Sequence, residues 1–109
     1  MLPKKERLSR VEFNRFFAVG KRLHTPLFTM VYVSFGELHA SVVVPKKVST
    51  KAVVRNRIRR RIYDIVRQHR TQTGVRGVFI FLVKPTALDS SYETLKKEVI
   101  SCLGRVHPQ

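Results

Sequence analysis

Apolar residues recur along this 109-residue chain in two rhythms. Leu27–Phe35, Leu38–Val44 and Val78–Val83 are short runs rich in β-branched and aromatic side chains, and each predicts a strand. Gly36-Glu37 separates the first two runs as a tight turn, so they are expected to pair as a hairpin. Pro45 cannot donate to a ladder and ends the second run. The third run, Val-Phe-Ile-Phe-Leu-Val, is apolar at every position, which predicts a central strand covered on both faces and ended by Pro85.

Elsewhere the rhythm is helical. Val54, Ile58, Ile62 and Ile65 mark one face of a helix from about Thr50 to His69, with Ser49 or Thr50 able to cap it. Ser9-Arg10-Val11-Glu12 fits a capping box, Leu8 and Phe13 can form the flanking staple, and Gly20 can stop this first helix after Val19. Ser90-Ser91-Tyr92-Glu93 fits a second capping box. Tyr92, Leu95, Val99 and Cys102 then line one side of a last helix that stops near Gly104. Lys21–Pro26 is a connection with room for a short edge strand, and Thr71–Arg76 is a polar loop. There are no repeats or low-complexity tracts. The chain, residues 1–109, reads as a single small α+β domain in which a sheet packs with helices as one pair of layers.

Charge changes the picture most. Lys and Arg number 22 against 7 Asp and Glu, for a net charge of +15. From Lys51 to Arg61 the second helical segment carries Lys51, Arg55, Arg57, Arg59, Arg60 and Arg61, and no acid. Crowded arginines repel one another, and the nearby Asp64 cannot balance them. A polyanion can, and a nucleic-acid backbone is the obvious one. The guanidinium fork holds a phosphate through two hydrogen bonds, which a lysine cannot do. Arg57, Arg60 and Arg67, with Asn56 and Arg59 beside them, fall away from the aliphatic stripe. A solvated helix face is the plain alternative, but such faces usually mix signs. An anionic membrane could also attract a basic helix, yet this stripe has the Val and Ile character of a sheet-packing face and lacks Trp, Phe and Leu.

Other chemistry is thin. Glu12 and Glu93 are accounted for as caps, the remaining acids have no metal-binding spacing, and His24, His39, His69 and His107 are scattered. Cys102 is alone, so no internal disulfide can form, and its helical spacing makes it a small core residue. No apolar run suits a signal peptide or a membrane span, and a reducing cytoplasmic setting is expected. Neither a catalytic nor a metal-ligating set is assigned. A second binding site is suggested by aromatic residues. Phe13 and Phe17 share a helix face, and Phe28 and Tyr32 could lie across from them as a groove that stacks unpaired bases.

Lys46-Lys47-Val48, followed by Lys51-Ala-Val-Val-Arg-Asn-Arg-Ile-Arg-Arg, resembles the protein subunit of bacterial ribonuclease P. Arg55-Asn56-Arg57 matches that family's signature, and Arg7-Leu8, the Phe13…Phe17…Gly20 pattern and Lys84-Pro85 extend the likeness over nearly the whole chain. The chain departs from the family at Ser49-Thr50, where a glycine is common, at Pro45, and at Arg59 and Tyr63, where Lys and Arg are common.

The resemblance implies a sheet of about four strands in the order αβββαβα, with a left-handed βαβ crossover (ribosomal protein S5 domain 2-like). It implies a non-catalytic subunit that binds the catalytic RNA and the 5′ leader of precursor tRNA, one monomer per RNA, while Mg²⁺ is held by the RNA and substrate. Lys46, Lys47, Lys51, Arg55, Asn56, Arg57, Arg59, Arg60 and Arg61 would then meet the RNA, with Asn56 fixing the helix or meeting a sugar. Phe13, Phe17, Phe28 and Tyr32 would line the leader cleft. The alternative is a small basic ribosomal or ribosome-associated RNA-binding protein. A free-standing nuclease lacks paired carboxylates here, and a DNA-reading module lacks a helix-turn-helix partner.

Overall fold

The computed structural model describes residues 4–106; Met1–Pro3 and His107–Gln109, with the histidine noted above, lie outside them. A 3₁₀ turn at Lys4–Glu6 leads into helix α1 (Arg10–Val19). Strands β1 (Lys21–His24), β2 (Phe28–Val33) and β3 (Leu38–Val43) follow, then helix α2 (Ala52–Thr73), strand β4 (Gly77–Val83), a 3₁₀ turn at Pro85–Asp89 and helix α3 (Tyr92–Val106). This is the αβββαβα order expected from the family resemblance.

The sheet order is β1-β2-β4-β3, with β1–β2 and β2–β4 antiparallel and β3–β4 parallel. The expected β2–β3 hairpin does not form, because β4 lies between the two strands. The reason is the composition of β4. Every residue but Leu82 is buried, and a strand apolar on both faces is best placed where neighbours satisfy both of its edges. Strands β3 and β4 are joined through α2, as parallel neighbours require.

Alternation along the strands sorts side chains into two cores. Phe28, Met30, Ala40, Val42, Phe79 and Phe81 meet the apolar stripe of α2 (Ile58, Ile62, Ile65, Val66) and Leu95, Val99, Cys102 and Leu103 of α3. On the opposite face Val31, Val78 and Ile80 meet Phe16 of α1. Helices therefore cover both faces, and the expected single pair of layers is three layers. Cys102 is a buried core residue, as its spacing predicted.

The helix ends show what local sequence can specify. The Ser9–Glu12 capping box forms: Glu12 N–H donates to Ser9 Oγ and Ser9 N–H to Glu12 Oε1. Gly20 caps α1 in an extended conformation, its N–H donating to Phe16 O, and the site needs glycine because a Cβ there would stand 2.3 Å from Val31 Cγ1. Helix α2 begins later and ends later than its stripe suggests. Lys51 is its N-cap, and Ser49 Oγ instead accepts from Lys51 N–H within the preceding loop. Gly74, at φ 68°, closes it in the left-handed region. The expected Ser90–Glu93 capping box does not form: Ser90 Oγ donates to Ala87 O, and Ser91 caps α3 instead, its Oγ accepting from Thr94 N–H. Gly104 lies within α3 rather than at its end.

Both sheet edges are protected. On β3, Leu8 N–H donates to Ala40 O, and Val42 N–H donates to the buried Tyr63 hydroxyl at 3.2 Å. Tyr63 is thus an inward-facing residue of α2 that satisfies an edge strand, which explains why no charge stands there. Edge strand β1 carries the exposed Lys21 and Arg22.

Candidate RNA-binding surfaces

Helix α2 spreads its basic residues around the half of its circumference that does not meet the sheet. Arg57, Arg60, Arg61 and Arg67 are exposed. Among the described residues none of these four makes an ion pair, and Arg61 has only the Tyr92 ring, 5.9 Å from its Cζ. Arg59 is held differently: its Nη1 donates to Asn56 Oδ1, so Asn56 aims a guanidinium rather than carrying charge itself. Arg55 turns inward, half-buried, and its Nη1 donates to Ser49 O at 2.9 Å. It ties the loop before α2 to the helix. Lys46 and Lys47 are exposed in the turn that leaves β3, held between the buried Val44 and Val48. Lys51 is exposed at the helix start.

The amino-terminal segment enlarges this basic surface. Lys4, Lys5 and Arg7 line a cavity of about 520 Å³ bordered by Ser9, Glu12 and Tyr63. An ion pair between Glu6 and Arg70 fastens the segment to α2.

Of the four aromatic residues expected to share a groove, the structure brings only Phe13 and Phe17 together. Phe13 and Phe17 stack at 5.5 Å along α1, and Arg22 of β1 sits over Phe17 at 4.5 Å. Phe28 and Tyr32 are not across from them. Both point to the opposite face of the sheet, where Phe28 is fully buried against Phe81 and Tyr32 packs on Phe79. Strand parity decides this: Phe28, Met30 and Tyr32 share one face, and Thr29, Val31 and Val33 the other.

The floor of the groove is instead a cross-strand row, Val43–Leu82–Thr29–His24, lying one row beyond the one that holds Val31 and Ile80, which Phe16 covers. Thr29 Oγ1 and His24 Nδ1 are 3.0 Å apart and hydrogen-bonded. At the β3 side the groove opens into a cavity of about 360 Å³ lined by Arg10, Phe13, Asn14, Ser41 and Val43. Arg22, Thr29, Ser41, Val43 and Leu82 were missed from sequence. Counting by two from Val31 finds the β2 member, but nothing local reveals which residues of β1, β3 and β4 stand beside it.

No metal centre emerges. Among the described residues no three His, Cys, Asp or Glu side chains converge, and Glu6 and Glu12 are committed to Arg70 and to the α1 cap. The donor set does not fit a bound Mg²⁺, and no step is assigned to one on this chain. Nor is any described helix long and apolar enough to cross a membrane.

The sequence matches the ribonuclease P family model over residues 2–107. The chain belongs to the bacterial ribonuclease P protein family. It is 33% identical to the ribonuclease P protein component of Microcystis aeruginosa, over 97% of this chain and 94% of that one. It is 31% identical to that of Xylella fastidiosa, over 89% of this chain and 72% of the other. The fold matches the ribonuclease P protein of Thermotoga maritima with a TM-score of 0.82 at 22% identity, covering 94% of this chain and 99% of that one. It also matches that of Staphylococcus aureus at 0.80 and 19%, covering 94% and 98%. As a ribonuclease P protein the chain is the non-catalytic subunit of an RNA endonuclease, working with the catalytic RNA to remove 5′ leaders from precursor tRNA.

Proposed function

We propose that this ribonuclease P protein holds two RNAs at once, one on each side of its sheet. The carrying observation is geometric: the arginine ridge of α2 and the Phe13–Phe17 groove of α1 lie on opposite faces of one sheet. The ridge, with Arg57, Arg59, Arg60 and Arg61 outermost and Lys46, Lys47 and Lys51 at its amino end, binds phosphates of the catalytic RNA. Arg55 and Asn56 shape that surface from within. The groove takes the single-stranded 5′ leader. Phe13 and Phe17 offer ring faces to unpaired bases, Arg22 supplies charge beside Phe17, and the row Val43–Leu82–Thr29–His24 forms the floor. Phe28 and Tyr32 have no part in it.

The protein works as a cytoplasmic monomer, one per RNA. The satisfied edge of β3 and the charged edge of β1 oppose strand-to-strand association, and the single buried thiol suits a reducing compartment. The test is cleavage of precursor tRNA by a bacterial ribonuclease P RNA at low Mg²⁺, with and without the protein. Strong stimulation, with no cleavage by protein alone, is the expected result. Tight RNA binding without stimulation would favour a ribosomal-type role.

A further inference from the structure

On the flank of α2 away from Asn56 and Arg59, the helix packs against the Pro85–Asp89 turn and α3. The seam leaves a cavity of about 160 Å³. Val54, Ile58, Ala87 and Leu95 line it with apolar surface, and Arg57 and Arg61 stand on its rim one helical turn apart. Leu88 forms a wall and remains 45% exposed, and Val53, on the first turn of α2, is 62% exposed. Exposed aliphatic groups beside two guanidiniums that make no ion pair are a poor fit to a merely solvated helix. Water hydrates the guanidiniums but leaves the aliphatic slot exposed, and the crowded positive charge lacks an anionic counterpart.

The chemistry of an occupant follows. The cavity is smaller than the roughly 300 Å³ at which pockets for drug-sized ligands begin, so it admits one small group. The group must present an apolar face to Val54, Ile58, Ala87, Leu88 and Leu95. It must also carry negative charge at two points about one helical turn apart, because Arg57 and Arg61 stand so along the α2 wall. The Ser90 hydroxyl donates to Ala87 O at 2.9 Å and keeps its lone pairs free to accept from an edge N–H. A nucleobase between two phosphates meets all of these requirements. We propose that the slot between α2 and the Pro85–Asp89 turn receives one unpaired nucleobase of the catalytic RNA, with Arg57 and Arg61 on the phosphates that flank it. This rests on reading α2 as the ribozyme-binding ridge, and it adds recognition of an unpaired nucleotide to what would otherwise be charge attraction alone.

The test is Leu88→Lys, probed with a bacterial ribonuclease P RNA. The substitution adds positive charge but removes an apolar wall, so charge attraction and base insertion demand opposite outcomes. The proposal expects about tenfold weaker RNA binding, the typical cost of losing one stacked base. Base-specific chemical probing should show an unpaired base shielded by the wild-type protein and exposed again with Leu88→Lys, while backbone protection along the ridge persists. Leu88→Met should restore both. Equal or tighter binding by Leu88→Lys, with an unchanged pattern of base reactivity, overturns the proposal and leaves the slot to a protein side chain. Absence of any backbone protection by the wild type would instead overturn the ridge itself. Circular dichroism checks the fold, and Leu88→Ala, which only trims a half-exposed side chain, must change binding in the same direction if Leu88→Lys unfolds.

Discussion

The α2 ridge and the α1 groove both face outward for RNA, yet they are assembled in different ways. The ridge is local: nearly every group on it belongs to one helix and the turn before it. The groove is not. Two rings come from α1, and the floor takes one residue from each of four strands. The ridge binds by summed charge, so its losses should accumulate residue by residue and vary with salt. The groove binds by surface shape and stacking, so its losses should depend on how α1 is seated and respond little to salt.

The sharpest way to separate them is a double substitution on the ridge. Arg57→Ala with Arg60→Ala should weaken catalytic-RNA binding by about 100-fold at low salt. It should also reduce the slope of log affinity against log salt by about 2, read from a binding titration at several salt concentrations. An unchanged slope would mean these side chains do not meet phosphate.

Next in size is the seat of the groove. Gly20→Ala forces a methyl group against Val31 and against the Phe16 and Tyr32 carbonyl oxygens at 3.1 and 3.2 Å. Urea denaturation should show a loss of about 1–3 kcal/mol. Leader-dependent substrate affinity should fall further than catalytic-RNA affinity, since α1 is displaced and α2 is not. Phe17→Ala should raise KM for precursor tRNA by about tenfold with the salt slope for catalytic RNA unchanged. If it simply unfolds the protein, Phe17 is core and the groove reading fails.

The smallest effect concerns pH. Hydrogen bonds from the Ser9 backbone N–H and then the Ser9 side chain hold the Glu12 carboxyl below the ordinary glutamate range. Because the folded-state value is depressed, the stabilisation is present at neutral pH and disappears as pH falls below about 4. Glu12→Gln should therefore melt slightly lower than wild type at pH 7, and the difference should shrink as pH falls through the acid range below about 4.

Legibility in the sequence followed the same division. The Ser9–Glu12 cap, the stripe on α2 and the fully apolar β4 involve neighbours three, four or two residues apart, and all three are present in the structure. The failures were of two kinds. Caps slid where hydroxyls were drawn into local turns: Ser49 bonds Lys51 N–H in the loop and leaves Lys51 as the N-cap, and Ser90 bonds Ala87 O and leaves the cap to Ser91. Partners were misjudged where pairing spans the chain. The short Gly36-Glu37 turn suggested a hairpin, but β4, more than thirty residues later in sequence, takes the place beside both strands.

Sequence alone determined the arginine-rich helix, because charge and helical period are properties of a short segment. It also carried the family signature at Arg55-Asn56-Arg57 and the lone, core-bound Cys102. Only the tertiary structure decided that Phe28 and Tyr32 turn away from Phe13 and Phe17, that Thr29, Leu82 and Val43 form a row on the sheet face that α1 covers, and that Tyr63 closes the edge of β3. A strand sends alternate residues to opposite faces, so which face is the groove depends on where α1 and α2 come to rest against the sheet. That is settled by burial across the whole chain and by no stretch of it read alone.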